Sequence, residues 1–232
     1  MAVLVIQTAF LGDVVLTTPL LIRLAEQHGP VDVLVTPAAA AVLEGHPAVR
    51  ELIRYDKRGR DRGLGGLLRL GRTLRSRRYQ RVYLPHRSAR SAALALWSGA
   101  PERIGFADGA AAWSYTRRIP RTGAHETARL AALAGPGPVP RPSLELRAAD
   151  RALALCWLEQ AEVHGPFTAL APGSVWATKR WPYYADLAGS LPGTVVIVGG
   201  PEDEAVGRSI VARDPSRIHS AAGALPLRAS AA

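Results

Sequence analysis

The sequence predicts an α/β protein built from two successive doubly wound parallel sheets, the second of them incomplete. Three observations predict it. From the first residues onward, short apolar runs alternate with stretches of helical period. A segment rich in proline and glycine, Ala134-Gly-Pro-Gly-Pro-Val-Pro-Arg-Pro142, then interrupts that rhythm, and the rhythm restarts at Phe167. Strands and helices alternating in this way form a parallel sheet covered on both faces. Four prolines and two glycines in nine residues form neither a helix nor a central strand, so this segment reads as a boundary.

The elements follow in order. Ala2–Gln7 is an apolar run suited to a buried parallel strand, and Thr8–Gly12 is the turn after it. From Asp13 onward, Val14, Leu16, Leu20, Leu21 and Leu24 recur near helical spacing until His28-Gly29-Pro30 closes the helix. Val31–Val35 is a second buried strand. A helix through Ala38–Leu43, a strand near Glu51–Tyr55 and an amphipathic helix over Leu64–Arg77 come next. Arg81–Leu84 is a strand, Ser88–Trp97 a helix, and His125-Glu126 opens another helix. Beyond the boundary, a helix over Ala148–Val163 precedes strand Phe167–Ala171. A helix beginning near Pro182, strand Thr194–Val198, a helix from Glu202 and strand Arg217–Ala221 complete the series. Residues 1–142 and 143–232 are thus expected as two domains. The second has about three strands, where a doubly wound sheet has about five or six.

Composition narrows the class. With 48% hydrophobic residues and a mean hydropathy of +0.04, the chain is expected to be globular and cytoplasmic. No apolar run approaches the ~20 residues of a bilayer span. The opening Met1-Ala2-Val3-Leu4-Val5-Ile6 lacks a signal peptide's basic start, so an intact N-terminus is expected. The single cysteine, Cys156, excludes an internal disulfide and a cysteine-based metal site, and its apolar flanks suggest core filler. The formal charge is +10, and only Lys57 and Lys179 among the cations are lysines. Arginines concentrate in Arg58-Gly-Arg60-Asp-Arg62 and Arg72-Thr-Leu-Arg75-Ser-Arg77-Arg78. Such clusters are solvated faces or attract anionic lipid, phosphorylated substrate or nucleic acid. No aromatic residues interleave with them, which argues against nucleic acid.

Three loops carry candidate chemistry. The loop after the first strand holds Thr8, Gly12 and Asp13, and in a doubly wound sheet that loop borders the ligand crevice. Asp13 suits either a helix N-cap or a general base that accepts a hydroxyl proton. The mirroring loop of the second domain, Ala171-Pro-Gly-Ser-Val-Trp-Ala-Thr-Lys-Arg-Trp-Pro182, offers backbone N–H groups near Gly173, the Ser174 hydroxyl, and the cations Lys179 and Arg180. Together they suit an anion such as a diphosphate, with a basic surface loop as the alternative reading. Gly199-Gly200-Pro201-Glu202-Asp203-Glu204 permits close ligand approach and places acids where ribose hydroxyls are commonly held, or where a helix's first turn favours them. Metal-spaced His/Asp/Cys clusters, a nucleophile elbow and a P-loop are missing from the sequence.

Thr8-Ala-Phe-Leu-Gly-Asp13-Val-Val-Leu-Thr-Thr-Pro19-Leu20, Ala171-Pro-Gly-Ser174 with Lys179-Arg-Trp-Pro182, Arg103-Ile-Gly-Phe106 and His125-Glu126 together resemble the ADP-heptose:lipopolysaccharide heptosyltransferases, glycosyltransferase family 9. The second-domain loop is most similar to that of heptosyltransferase II. The resemblance implies a GT-B fold with two facing domains, an acceptor-side domain over 1–142 and a nucleotide-sugar domain over 143–232. It also implies inverting, metal-independent transfer of heptose from ADP-heptose to the lipopolysaccharide inner core, with no cofactor. Asp13 would be the general base, Lys179 would neutralise the departing diphosphate, Ser174 would contact phosphate and Glu204 would lie near the ribose. Partners would be ADP-heptose and the lipopolysaccharide acceptor, with peripheral inner-membrane association and no nucleic acid. The family continues with an Asp-[Ser/Thr]-Gly-x-x-His segment that this sequence lacks. The chain is therefore expected to be C-terminally truncated, with weak or no transfer activity. A different nucleotide sugar, or a non-catalytic protein binding anionic lipid or nucleic acid, are the alternatives.

Overall fold

The computed structural model describes residues 1–57, 59–123 and 125–232, and the chain divides into two compact units, Met1–Glu145 and Leu146–Ala232.

In the first unit, six strands alternate with helices: β1 (Val3–Gln7), β2 (Val31–Val35), β3 (Val49–Arg54), β4 (Arg81–Leu84), β5 (Glu102–Phe106) and β6 (Arg117–Ile119). The helices are α1 (Leu11–His28), α2 (Pro37–Leu43), α3 (Gly63–Ser76), α4 (Ala89–Trp97) and α5 (Glu126–Ala131). All strand pairs are parallel, in the order β3-β2-β1-β4-β5-β6. β1 and β2 are buried along their whole length, because helices cover both sheet faces and leave no polar side to alternate with. Val5, Val33, Leu20 and Leu24 pack on the face covered by α1 and α2. Leu4, Ile6, Leu70, Leu74 and Leu94 pack on the α3–α4 face. The chain leaves β1 in one direction to β2 and β3, then crosses to β4 on its other side. The β1/β4 junction is thus the topological switch point of the sheet.

Helix α1 begins at Leu11, two residues before the sequence expectation. It accommodates Pro19 in its interior by a local exchange. Proline has no N–H to give the carbonyl of Val15, and the Thr18 hydroxyl donates to that oxygen instead, at 2.8 Å. Gly29, at φ 77°, ends the helix in a backbone region few other residues adopt, with its N–H on the Ala25 carbonyl.

The second unit comprises α6 (Ala148–Gln160), β7 (Phe167–Leu170), α7 (Tyr184–Ser190), β8 (Thr194–Ile197), α8 (Glu204–Val211), β9 (Ile218–Ser220) and α9 (Leu227–Ser230). Its parallel sheet runs β7-β8-β9. This order reproduces β1-β2-β3 of the first unit and stops where β4 would pair. β7 is correspondingly exposed, with Phe167 41% accessible, whereas β1 is buried throughout. Two readings need correction. Cys156 is exposed rather than in a core, since α6 buries none of its residues. The helix expected near Pro182 begins at Tyr184, after a turn.

Candidate functional site

The first loop is fixed at its base by Gln7. Its side-chain N–H donates to Thr17 Oγ1 at 2.8 Å, its side-chain Oε1 accepts from the Ala9 N–H at 3.3 Å, and the Thr17 hydroxyl donates onward to the Asp13 backbone carbonyl at 2.6 Å. Thr8 is buried, its hydroxyl 3.2 Å from both His86 Nδ1 and Ser91 Oγ. Its carbonyl accepts from Lys57 Nζ at 2.9 Å. Gly12 is exposed, with open space where a Cβ would stand. Asp13 is the third residue of α1 rather than its N-cap, and its Oδ2 accepts from the Phe10 N–H at 3.1 Å. An acid in this position also faces the positive end of the helix dipole.

These groups come from four places in the chain. Thr8 and Asp13 follow β1, Lys57 follows β3, His86 follows β4, and Ser91 lies in the first turn of α4. Lys57, His86 and Ser91 therefore gather at the carboxyl ends of the strands around the switch point, and sequence reading assigned none of them a role. Lys57 alone carried a signal, as one of two lysines in an arginine-rich chain. His86 is held below the ordinary histidine range, first by burial and then by the positive charge of Lys57. Asp13 pulls in the opposite direction and Arg87 adds to the lowering. The histidine thus senses both Lys57 and the Asp13 carboxylate.

In the second unit, the loop after β7 runs from Ala171 to a 3-10 turn at Ala177–Lys179. Ser174 is half-buried, its hydroxyl accepting from the Trp176 N–H at 3.3 Å and its carbonyl from Arg180 Nε at 2.8 Å. Arg180 thereby closes the loop on itself. Lys179 is exposed, and among the described residues its amine has neither a hydrogen bond nor an ion pair. Trp181 packs edge-on to Tyr183 and Tyr184, at 5.7 and 5.4 Å between ring centres. The loop after β8 meets the loop after β7 through Asp203. Its carboxylate accepts from the Gly200 N–H at 3.1 Å and lies where a Cβ on residue 173 would have to be, so Gly173 is needed for the approach. Glu204 opens α8, is 57% exposed, and is ion-paired with Arg208 one turn on.

Arg58, the first cation of the expected basic cluster, lies outside the described residues. Of the others, Arg60 is paired with Asp61 and Arg77 with Glu51, whereas Arg62, Arg72, Arg75 and Arg78 make no ion pair among the described residues. No described group of three or more His, Cys, Asp or Glu side chains converges as a metal site, and no described helix is long and apolar enough to cross a membrane.

Two Rossmann-type units in succession, the second with part of its sheet, are the α/β architecture of GT-B glycosyltransferases. The chain belongs to glycosyltransferase family 9, the heptosyltransferases, whose family model matches residues 67–229. It is 26% identical to lipopolysaccharide heptosyltransferase 2 of Salmonella typhimurium, over 91% of this chain and 67% of that protein. Among solved structures it is similar to a family 9 glycosyltransferase from Veillonella parvula, with a TM-score of 0.87 and 24% identity over 98% of this chain and 71% of that one. It is also similar to ADP-heptose lps heptosyltransferase II of E. coli, with a TM-score of 0.78 and 26% identity over 99% and 75%.

Proposed function

We propose that this glycosyltransferase moves heptose from ADP-heptose to the lipopolysaccharide inner core, with inversion and without a metal. The donor and acceptor classes follow from the names of the E. coli and Salmonella relatives. Residues 1–142 serve as the acceptor-side domain and 143–232 as part of the nucleotide-sugar domain. The acceptor hydroxyl oxygen attacks the anomeric carbon as the bond from that carbon to the ADP oxygen breaks. Asp13 takes the hydroxyl proton, and the electron pair leaves with the diphosphate. Lys179 meets the charge that develops there, Ser174 and Arg180 support the phosphates, and Glu204 takes the ribose. Gly12 and Thr8 set the path of the Asp13 loop. Peripheral association with the inner membrane brings the chain to its lipid-anchored acceptor, and no cofactor or nucleic acid takes part.

The observation that carries this reading is the state of Asp13. Among the described residues only its Oδ2 is hydrogen-bonded, which leaves Oδ1 for an incoming hydroxyl at the ligand-binding end of the sheet. Calorimetric titration with ADP tests the role of Lys179. Lys179→Ala should weaken ADP binding about tenfold or more, the size of a charge-assisted contact, while Asp13→Asn should leave it unchanged. Equal affinity of Lys179→Ala and wild type would remove Lys179 from the diphosphate site.

A further inference from the structure

The outer face of α3 carries exposed leucines in line with exposed arginines. Leu64, Leu68, Arg72 and Arg75 stand at positions i, i+4, i+8 and i+11, so they form one stripe along the helix. All four are exposed, Leu64 to 75%, while Leu67, Leu70 and Leu74 on the opposite face are buried. From Gly63 to Gln80 there are five arginines and no acidic residue. Trp113, 74% exposed, lies in the 3-10 turn after β5 that adjoins α4, the neighbour of α3 on the same sheet face. Because α3 follows β3 and returns antiparallel to it, Leu64 sits at the carboxyl end of the sheet. That is the end bearing Asp13.

We propose that α3 and Trp113 form the surface by which this chain lies on an anionic lipid bilayer. Leu64, Leu68 and Trp113 enter the boundary between headgroups and acyl chains, and Arg62, Arg72 and Arg75 lie among the lipid phosphates. A helix with an apolar edge beside cations, and no acids to repel a negative leaflet, has the chemistry of an interfacial helix. An indole at one end suits the headgroup level. Charge complementarity selects the occupant, since the unpaired arginines are matched by a surface dense in phosphate. Seating α3 in this way turns the Asp13 end of the sheet toward sugars that a lipid anchors at the membrane. That consequence rests on the transferase reading, but binding to lipid does not.

Flotation of the full chain with vesicles tests the proposal, comparing pure phosphatidylcholine with vesicles containing about one-third phosphatidylglycerol. The chain should float only with the anionic vesicles. Leu64→Asp/Leu68→Asp should lower the partition coefficient about tenfold or more, and Arg72→Glu/Arg75→Glu should do the same at low salt, with the deficit shrinking as salt rises. The milder Leu64→Ser should fall between these and wild type, and Trp113→Ala should abolish a blue shift of tryptophan emission on vesicle addition. Unchanged circular dichroism and ADP affinity in the variants would show the fold and nucleotide site intact, which separates failure here from failure of the transferase reading. Equal flotation with both vesicle types, or variants that all float like wild type, would overturn the proposal. So would a vesicle-free dimer that Leu64→Asp/Leu68→Asp dissolves, or DNA binding by α3 that anionic vesicles do not compete away.

Discussion

His86 illustrates how a single side chain reports on its neighbours at the β1/β4 junction. Burial and then Lys57 lower its pKa, while the Asp13 carboxylate pulls the other way. Two substitutions should therefore move its titration in opposite directions. In an NMR titration of the ring protons, Lys57→Ala should raise the His86 pKa toward the ordinary value, and Asp13→Asn should lower it further. No shift in either variant would mean that the three groups are not neighbours in solution. The sequence exposed Asp13 because glycine, an acid and a helical run follow one another directly. It could not expose the grouping of His86 and Lys57, which loops more than forty residues away bring to the Thr8 backbone and hydroxyl. Thr17 and Thr18 were visible as part of a family motif, but their use in bracing the Asp13 loop and replacing the donor lost at Pro19 depends on hydrogen bonds only coordinates reveal.

At the level of elements, β2 shows what a buried charge does for the opposite, amino-terminal side of the sheet. Asp32 is 1% exposed and accepts two hydrogen bonds from Arg50 at 2.8 Å and one from Tyr79 Oη at 2.6 Å. Burial alone would raise its pKa, but the hydrogen bonds of Arg50 and Tyr79 and the charges of Arg50 and Arg77 outweigh it and hold the carboxyl low. A folded-state pKa below the unfolded one stabilises the protein above the ordinary carboxylate range, and that stability is lost as pH falls through the folded value. Asp32→Asn should cost about 1–3 kcal/mol at neutral pH, less than a fully buried pair because Arg50 is half in water. Its stability should also fall less steeply than that of wild type below about pH 4. Chemical denaturation across pH measures both effects, and parallel curves for the two proteins would rule out Asp32 as the source. Composition made β2 and β4 legible to the residue, because apolar residues dominate both short runs in a sheet covered on two sides. β5 and β6 escaped it: Glu102–Phe106 mixes two charges and a glycine with its apolar residues, and Arg117–Ile119 is three residues long at the sheet edge. α6 misled through Cys156, because apolar residues on a helix mark a core only where another element covers them.

Over the whole chain, two units repeat one plan, β-α-β-α-β in the order 1-2-3, and each sends the loop after its first strand to the carboxyl end of its sheet. The first loop is acidic, with Asp13 on the first turn of α1, and the second is cationic, with Lys179 and Arg180. The duplication was readable because strand–loop–helix recurs twice around a proline-rich break. The candidate loops stood out because charge of opposite sign occupies equivalent positions in the two units. Asp13 is proposed to remove the acceptor's hydroxyl proton during sugar transfer. The most direct test is the rate of ADP release from ADP-heptose in the presence of an inner-core acceptor, for wild type and Asp13→Asn side by side. Loss of a general base predicts a ratio of about a hundredfold or more, whatever the absolute rate of the wild type, with ADP affinity unchanged. Equal rates for the two proteins would contradict it.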